Sequence, residues 1–189
     1  MTDHYTRVAI LLHWLIGLSI IALLALGLIM EDLPKAYRME AFMIHKSLGL
    51  TVLVLSVVRL FWRLTHKGPD LPETMRKWEK FTAHAVHAAL YFLMIALPFT
   101  GWALVSSSPR GFPTIWFGLF EWPHLPVLSE IVNKKEVSDS FGEVHETLAW
   151  IAIFLIAAHI GAALKHHFIN RDNVLTRMLP FLAPPSQKG

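Results

Sequence analysis

Four long apolar runs, each flanked by polar or charged residues, set the pattern of this chain. Residues 8–30 carry no charge at all. Residues 42–64 form the second run, with Lys46 near one end and Arg59 and Arg63 near the other. Residues 83–105 are uncharged and hold His84 and His87 near their start. Residues 145–167 form the fourth, uncharged from 147 to 164. A bilayer core about 30 Å thick needs roughly 20 mostly apolar residues per helix. Each run meets that length, and four buried helices of this kind in a water-soluble protein would leave too little polar surface. The pattern predicts an all-α, integral membrane four-helix bundle, a single domain over 1–189. The first run could also be a secretory signal, since Ala25-Leu26-Gly27 is a small-x-small sequence. Signal cores are shorter, about 7–15 residues, so it reads as a retained span.

The connections add orientation. Eleven of the 17 Lys and Arg fall on the side of the N-terminus, the 65–82 loop and the C-terminal tail, when the spans are divided at mid-depth. Acidic residues are distributed the other way, five against nine. Basic loops stay in the cytoplasm, so both termini are expected inside. The 106–144 loop is the longest. It mixes Trp116, Phe117 and Trp122 with prolines and a charged stretch at 130–139. As Trp favours the membrane interface, it is expected to form an outer cap. Pro98 should kink the third helix, with Gly101 easing the bend.

Composition narrows the chemistry. Hydrophobic residues make up 54% and charged residues 16%, against roughly 25% charged in an average soluble domain. The pI near 9.3 could suggest nucleic acid, but a net charge of +3 sorted across a membrane accounts for it, and nucleic-acid binding is not expected. Cysteine is absent and histidine occurs 11 times. Disulfides, thiolate zinc, cysteine-held iron–sulfur clusters and thioether-attached haem are therefore excluded. Metal chemistry must rest on His, Asp, Glu or Met.

Ionisable residues inside a span are costly and mark function. His13, His45, His84, His87, His145 and His159 lie in or at the ends of the spans, and His166 and His167 at the inner boundary. At about 100° and 1.5 Å per residue, His145 and His159 face the same way and stand about 21 Å apart along one helix. His13 enters from inside at a depth where it can meet His159. His45 and His145 open their helices from the outer side and can also meet. Two stacked bis-histidine sites result, which suit two b-type haems between helices. A zinc or iron site would want more ligands at one depth, and carboxylates. His87 starts the third helix near the depth of His13, so depth alone leaves it open as an inner ligand.

With these residues assembled, the chain resembles the bacterial cytochrome b561 family, di-haem quinone-linked membrane cytochromes, over nearly its whole length. More distantly, it is similar to the cytochrome b subunits of hydrogenases and formate dehydrogenases. The likeness rests on Tyr5-Thr6-Arg7 with His13-Trp14-Leu15, Met43-Ile44-His45-Lys46-Ser47 with Val57-Val58-Arg59-Leu60, and Ala83-His84-Ala85-Val86-His87. It continues in Ala96-Leu97-Pro98 with Gly101, His145-Glu146-Thr147-Leu148-Ala149, His159 with Ala162-Ala163-Leu164, His166-His167, Asp172-Asn173 and Arg177-Met178. The 106–144 loop matches poorly. The resemblance implies His13 with His159 on an inner haem and His45 with His145 on an outer one, leaving His84 and His87 off the iron. It implies ubiquinone near the inner haem, with His166, His167, His87, Lys77 and Lys80 as candidate contacts. Arg59, Arg63 and Lys46 are candidate partners of haem propionates, since a buried carboxylate needs a cation.

The likeness is strongest to superoxide-oxidising members. It implies a bacterial inner-membrane oxidoreductase that passes electrons from periplasmic superoxide through the haems to ubiquinone, with no catalytic residue beyond the haems. The alternative is an electron-transfer anchor subunit that links a periplasmic dehydrogenase or hydrogenase, as redox partner, to the quinone pool.

Overall fold

The computed structural model describes residues 5–182; Lys188, counted above on the basic side, lies outside them. Four long helices dominate: α1 (Arg7–Ile29), α2 (Lys35–Thr65), α3 (Lys77–Ser106) and, after a short α4 (Pro126–Ser129), α5 (Lys134–Lys165). Each is long and apolar enough to cross a membrane. Thr6 caps α1, its hydroxyl accepting from the Ala9 N–H at 3.2 Å. Helix α3 runs unbroken through Pro98. Helix α5 passes into a π-helical turn, His166–Asn170, that stops where Arg171 takes a left-handed conformation (φ 57°).

The helices outrun the apolar runs. At 134–144 the charged half of the long loop is helix, adding about three turns to the start of α5. Those residues alternate charge at helical spacing, as in Lys135 with Asp139, paired one turn apart at 2.5 Å. Such a helix needs no membrane to satisfy its backbone, so hydrophobicity could not reveal it. The rest of the loop holds an antiparallel hairpin, β1 (Thr114–Trp116) with β2 (Phe120–Trp122), in the register Thr114 with Trp122 and Trp116 with Phe120. The hairpin docks on α2. Ser47 Oγ donates to the Ile115 carbonyl at 3.3 Å and accepts from the Phe117 N–H at 3.0 Å. The Trp102 indole donates to the Pro123 carbonyl at 3.0 Å.

The bundle therefore has a hairpin end and an end that carries the described chain termini. At the latter, the C-terminal segment folds back. Trp14 Nε1 donates to the Met178 carbonyl at 2.8 Å, and Arg177 to the Asp70 carbonyl at 2.6 Å.

Packing is most extensive between α3 and α5, then α1 with α2 and α2 with α3. Helix α5 meets α1 and α2 chiefly across facing histidines. Small residues, Ala41, Ser47, Ser56, Ala103 and Ala152, are buried where helices close up, as expected where lipid removes the hydrophobic drive between helices. Leu12, Ile16 and Val52 form the apolar centre, with Ile20, Leu23, Leu55, Trp62 and Met94 against them. Large apolar side chains such as Phe61, Phe92 and Phe154 project outward as a lipid-facing belt.

Candidate haem-binding site

Two layers of functional side chains cross the bundle, and each long helix supplies one residue to each layer. The layer near the termini is His13 (α1), Arg59 (α2), His87 (α3) and His159 (α5). The rings of His13 and His159 stand 6.1 Å apart, those of His87 and His159 5.3 Å, and Arg59 Nη2 donates to His13 Nδ1 at 3.3 Å. The layer near the hairpin is Gly27, His45, Gly101 and His145. The rings of His45 and His145 lie 6.3 Å apart. A Cβ on Gly27 would come within 3.3 Å of His45 Cε1, and one on Gly101 within 3.1 Å of His145 Cε1. The two members on every helix are 14 residues apart in sequence. Fourteen residues are close to four turns and about 21 Å of rise, so one translation carries the whole layer across the membrane. An apolar layer separates them. It includes Ile20, Leu93, Met94, Leu97, Ala152 and Ile156, around a cavity of ≈ 20 Å³.

The ring spacings suit a bis-imidazole metal centre at both levels, and ligation by His13 would require Arg59, which here donates to its Nδ1, to let go of that nitrogen. Two metal–imidazole bonds of about 2.0–2.1 Å place the ring centroids roughly 6 Å apart. The 6.1 Å and 6.3 Å pairs match this, and the 5.3 Å contact of His87 with His159 is too short to hold an iron between the rings. At the hairpin end His145 is already oriented. Its Nδ1 lies 3.0 Å from the Leu97 carbonyl and 3.1 Å from Thr100 Oγ1. Donation from Nδ1 leaves Nε2 with its lone pair free, the usual support of a metal-bound histidine. His45 Nδ1 is buried without a partner. Glycines next to the ligands leave room for a flat group. Gly17 and Gly49 each lie one turn beyond a candidate ligand, His13 and His45, and nothing comes within 4 Å of a Cβ on either. Among the described residues no cluster of three or more His, Asp or Glu could hold a metal ion.

Arg59 donates through Nη1 to the Ala9 carbonyl at 3.1 Å, with its guanidinium over the Tyr91 ring at 5.7 Å. Arg63 is exposed, beside Tyr5 at Gly68. Lys46 donates to the Pro113 carbonyl at 3.3 Å and so holds the hairpin.

The candidate quinone contacts cluster in part. Lys165 pairs with Glu79 at 2.6 Å, which brings the first turn of α3, with exposed Lys77 and half-buried Lys80, against the end of α5. His166 follows directly. It is buried, and its Nδ1 meets Asp172 at 2.6 Å and Asn170 at 3.1 Å. His167 Nδ1 is buried without a partner. His87 stands apart from these, in the histidine layer, with Nδ1 donating to the Ala83 carbonyl at 2.7 Å. His84 is exposed. Sequence reasoning missed Gly17, Gly49 and Thr100, met Gly27 only in a small-x-small sequence and Asp172 only within the resemblance, and gave Gly101 no role beyond easing a kink. The 14-residue translation and the glycine four residues after His13 and His45 were the signals that could have found the glycines.

A family profile described as prokaryotic cytochrome b561 matches residues 4–181. The chain is 31% identical to "Cytochrome b561 homolog 2" of Escherichia coli over 179 residues, covering 94% of this chain and 92% of that protein. It is 31% identical to "Cytochrome b561 homolog 1" of the same organism over 180 residues, covering 94% and 98%. It is 33% identical to "Probable superoxide oxidase CybB" of Yersinia pestis over 180 residues, covering 95% and 98%.

Proposed function

This chain belongs to the prokaryotic cytochrome b561 family, and from that premise we propose that it is a di-haem b oxidoreductase that takes electrons from superoxide at the hairpin end and delivers them to ubiquinone at the end bearing the termini. At the coarser level it is a multi-pass membrane electron-transfer protein of a b-type haem family. The observation that carries the proposal is the pair of cross-helix imidazole pairs, 6.1 Å and 6.3 Å between rings, repeated at a 14-residue spacing.

His13 with His159, and His45 with His145, would each hold one haem. A haem b held there would supply one-electron transfer. Leu97 and Thr100 keep His145 in its ligating orientation. Arg59 places a cation beside His13, where a propionate or the reduced state gains from it. The apolar layer around Ile20, Leu97 and Ile156 keeps water and protons out of the path between the levels. Two superoxide anions each give up one electron and leave as dioxygen. Ubiquinone takes two electrons and two protons and leaves as ubiquinol. The imidazoles of His166 and His167 and the ammonium groups of Lys77 and Lys80 are the proton-bearing groups proposed to face it, histidine being suited to proton exchange near neutral pH. The Lys and Arg excess on the terminal side supports both termini being cytoplasmic.

The test is stopped-flow mixing of the purified, haem-loaded protein with superoxide, then with a soluble ubiquinone analogue. Haem reduction followed by quinone-dependent reoxidation supports the proposal, and a protein inert to superoxide refutes it. One observation favours the anchor-subunit reading. Of the cations expected near the hairpin end, Lys46 is held by Pro113 and Lys135 by Asp139, which weakens steering of a small anion. That reading predicts co-purification with a larger metalloprotein and no response to superoxide alone.

A further inference from the structure

We propose that the hairpin 114–122 is a membrane wedge, its tip seated among the lipid acyl chains of the leaflet on its own side rather than standing in water above the bundle. The hairpin lies against α2. Lys46 binds the Pro113 carbonyl just ahead of β1, and Ser47 binds Ile115 in mid-strand and Phe117 in the turn. The Trp116 indole reaches further, donating to Thr51 Oγ1 at 3.1 Å. Thr51 is six residues past His45, about 9 Å deeper along the helix. His45 is itself level with Gly27, inside the last turn of α1. The tip therefore lies at or below the level where α1 leaves the hydrocarbon.

The chemistry of the tip agrees with that depth. Its turn is Trp116-Phe117-Gly118-Leu119, closed by the Leu119 N–H donating to the Trp116 carbonyl at 2.9 Å, with the two central residues Phe117 (φ 46°) and Gly118 (φ 76°) both left-handed. Hairpin turns in water favour Asn-Gly or Asp-Gly there, and a bulky residue at positive φ is strained. Here the Phe117 N–H is held by Ser47 while its side chain, Leu119 and Phe120 stay exposed. An open strand edge is not tolerated in lipid. The edge of β1 that faces α2 is closed by the Ser47 hydroxyl, which both donates and accepts as a partner strand would, whereas the outer edge of β2, at Glu121, has no such partner among the described residues and belongs at the headgroup level. Glu121, two residues beyond Leu119, sets the depth limit. Trp122 and Trp102, ring to ring at 6.1 Å, sit beside it as interfacial aromatics. The exposed side chains of the tip, Phe117, Leu119 and Phe120, are apolar like those of the lipid-facing belt, so bilayer lipid is its occupant.

The chain has no cysteine, so single labels are direct. In the haem-loaded full chain in phosphatidylethanolamine–phosphatidylglycerol vesicles, nitroxides are placed at Leu119→Cys and Glu121→Cys. Val54→Cys on a span and the fully exposed Val132→Cys serve as references. Collision with dissolved oxygen and with a water-soluble nickel chelate is read by power saturation. The Leu119 label should favour oxygen, as Val54 does, and the Glu121 label should be markedly more accessible to nickel. A Leu119 label as open to nickel as Val132 overturns the proposal. So does one shielded from both quenchers, and spin–spin broadening between chains would then assign the tip to a second copy. If Leu119→Cys fails to load haem, Phe120→Cys is read in the same way.

Discussion

Replacing Gly101 by alanine tests whether His145 is held against α3 for a purpose. The added methyl would sit 3.1 Å from His145 Cε1 and 3.4 Å from its Nδ1. Carbon atoms pack best at about 3.5–4.0 Å, so the ring must retreat by roughly half an ångström. It cannot do so freely, because Nδ1 is tied to the Leu97 carbonyl at 3.0 Å and to Thr100 Oγ1 at 3.1 Å. Giving up that hydrogen bond costs about 0.5–1.5 kcal/mol, and about 1 kcal/mol is close to fivefold in affinity. The expected result is haem held about fivefold less tightly at the hairpin-end centre, with the other centre unchanged. Gly27→Ala should do less, since its methyl would approach His45 Cε1 at 3.3 Å and His45 Nδ1 has no partner to lose. Haem transfer to excess apoglobin, followed in the Soret band, measures both variants. Equal loss from both centres, or a larger effect from Gly27→Ala, would refute the reasoning.

Gly17→Leu should leave helix content intact but remove the centre near the termini, because the space beside His13 is open in the structure and the haem is expected to fill it. Gly161→Leu, exposed and equally unobstructed, should keep both haems by absorbance. Arg59→Met should lower the midpoint potential of the His13–His159 centre, since a fixed cation favours the less positive, reduced state; redox titration reads this. Ser47→Ala leaves the Phe117 N–H without its acceptor, at a cost of about 1–3 kcal/mol if that group stays buried. Hydrogen exchange over 112–125 should accelerate while both haems remain.

The sequence made the spans and the histidine pairs legible for a simple reason. Helical rise and rotation are fixed, so His145 and His159 had to share a face, and His13 and His45 had to enter at matching depths. The meeting of α3 with α5 was not legible. It depends on the Leu97 carbonyl, Thr100 and the missing side chain of Gly101, none of which stands out from hydropathy. Nor was the division of 106–144 into hairpin, short helix and the first turns of α5, because a charged amphiphilic helix and a loop share the same composition. The place of His87 also needed coordinates. Depth put it level with His13 and only the family resemblance set it off the iron, whereas the 5.3 Å ring distance to His159 gives a geometric reason, a neighbour that leaves no room for iron.

The haem-to-protein ratio of the purified chain and its single histidine variants bears most directly on the two-centre account. The wild type should carry two haems per chain. His13→Ala, His45→Ala, His145→Ala and His159→Ala should each carry one, and His87→Ala two. One haem in the wild type, or a lost haem in His87→Ala with two retained in His13→Ala, would contradict it.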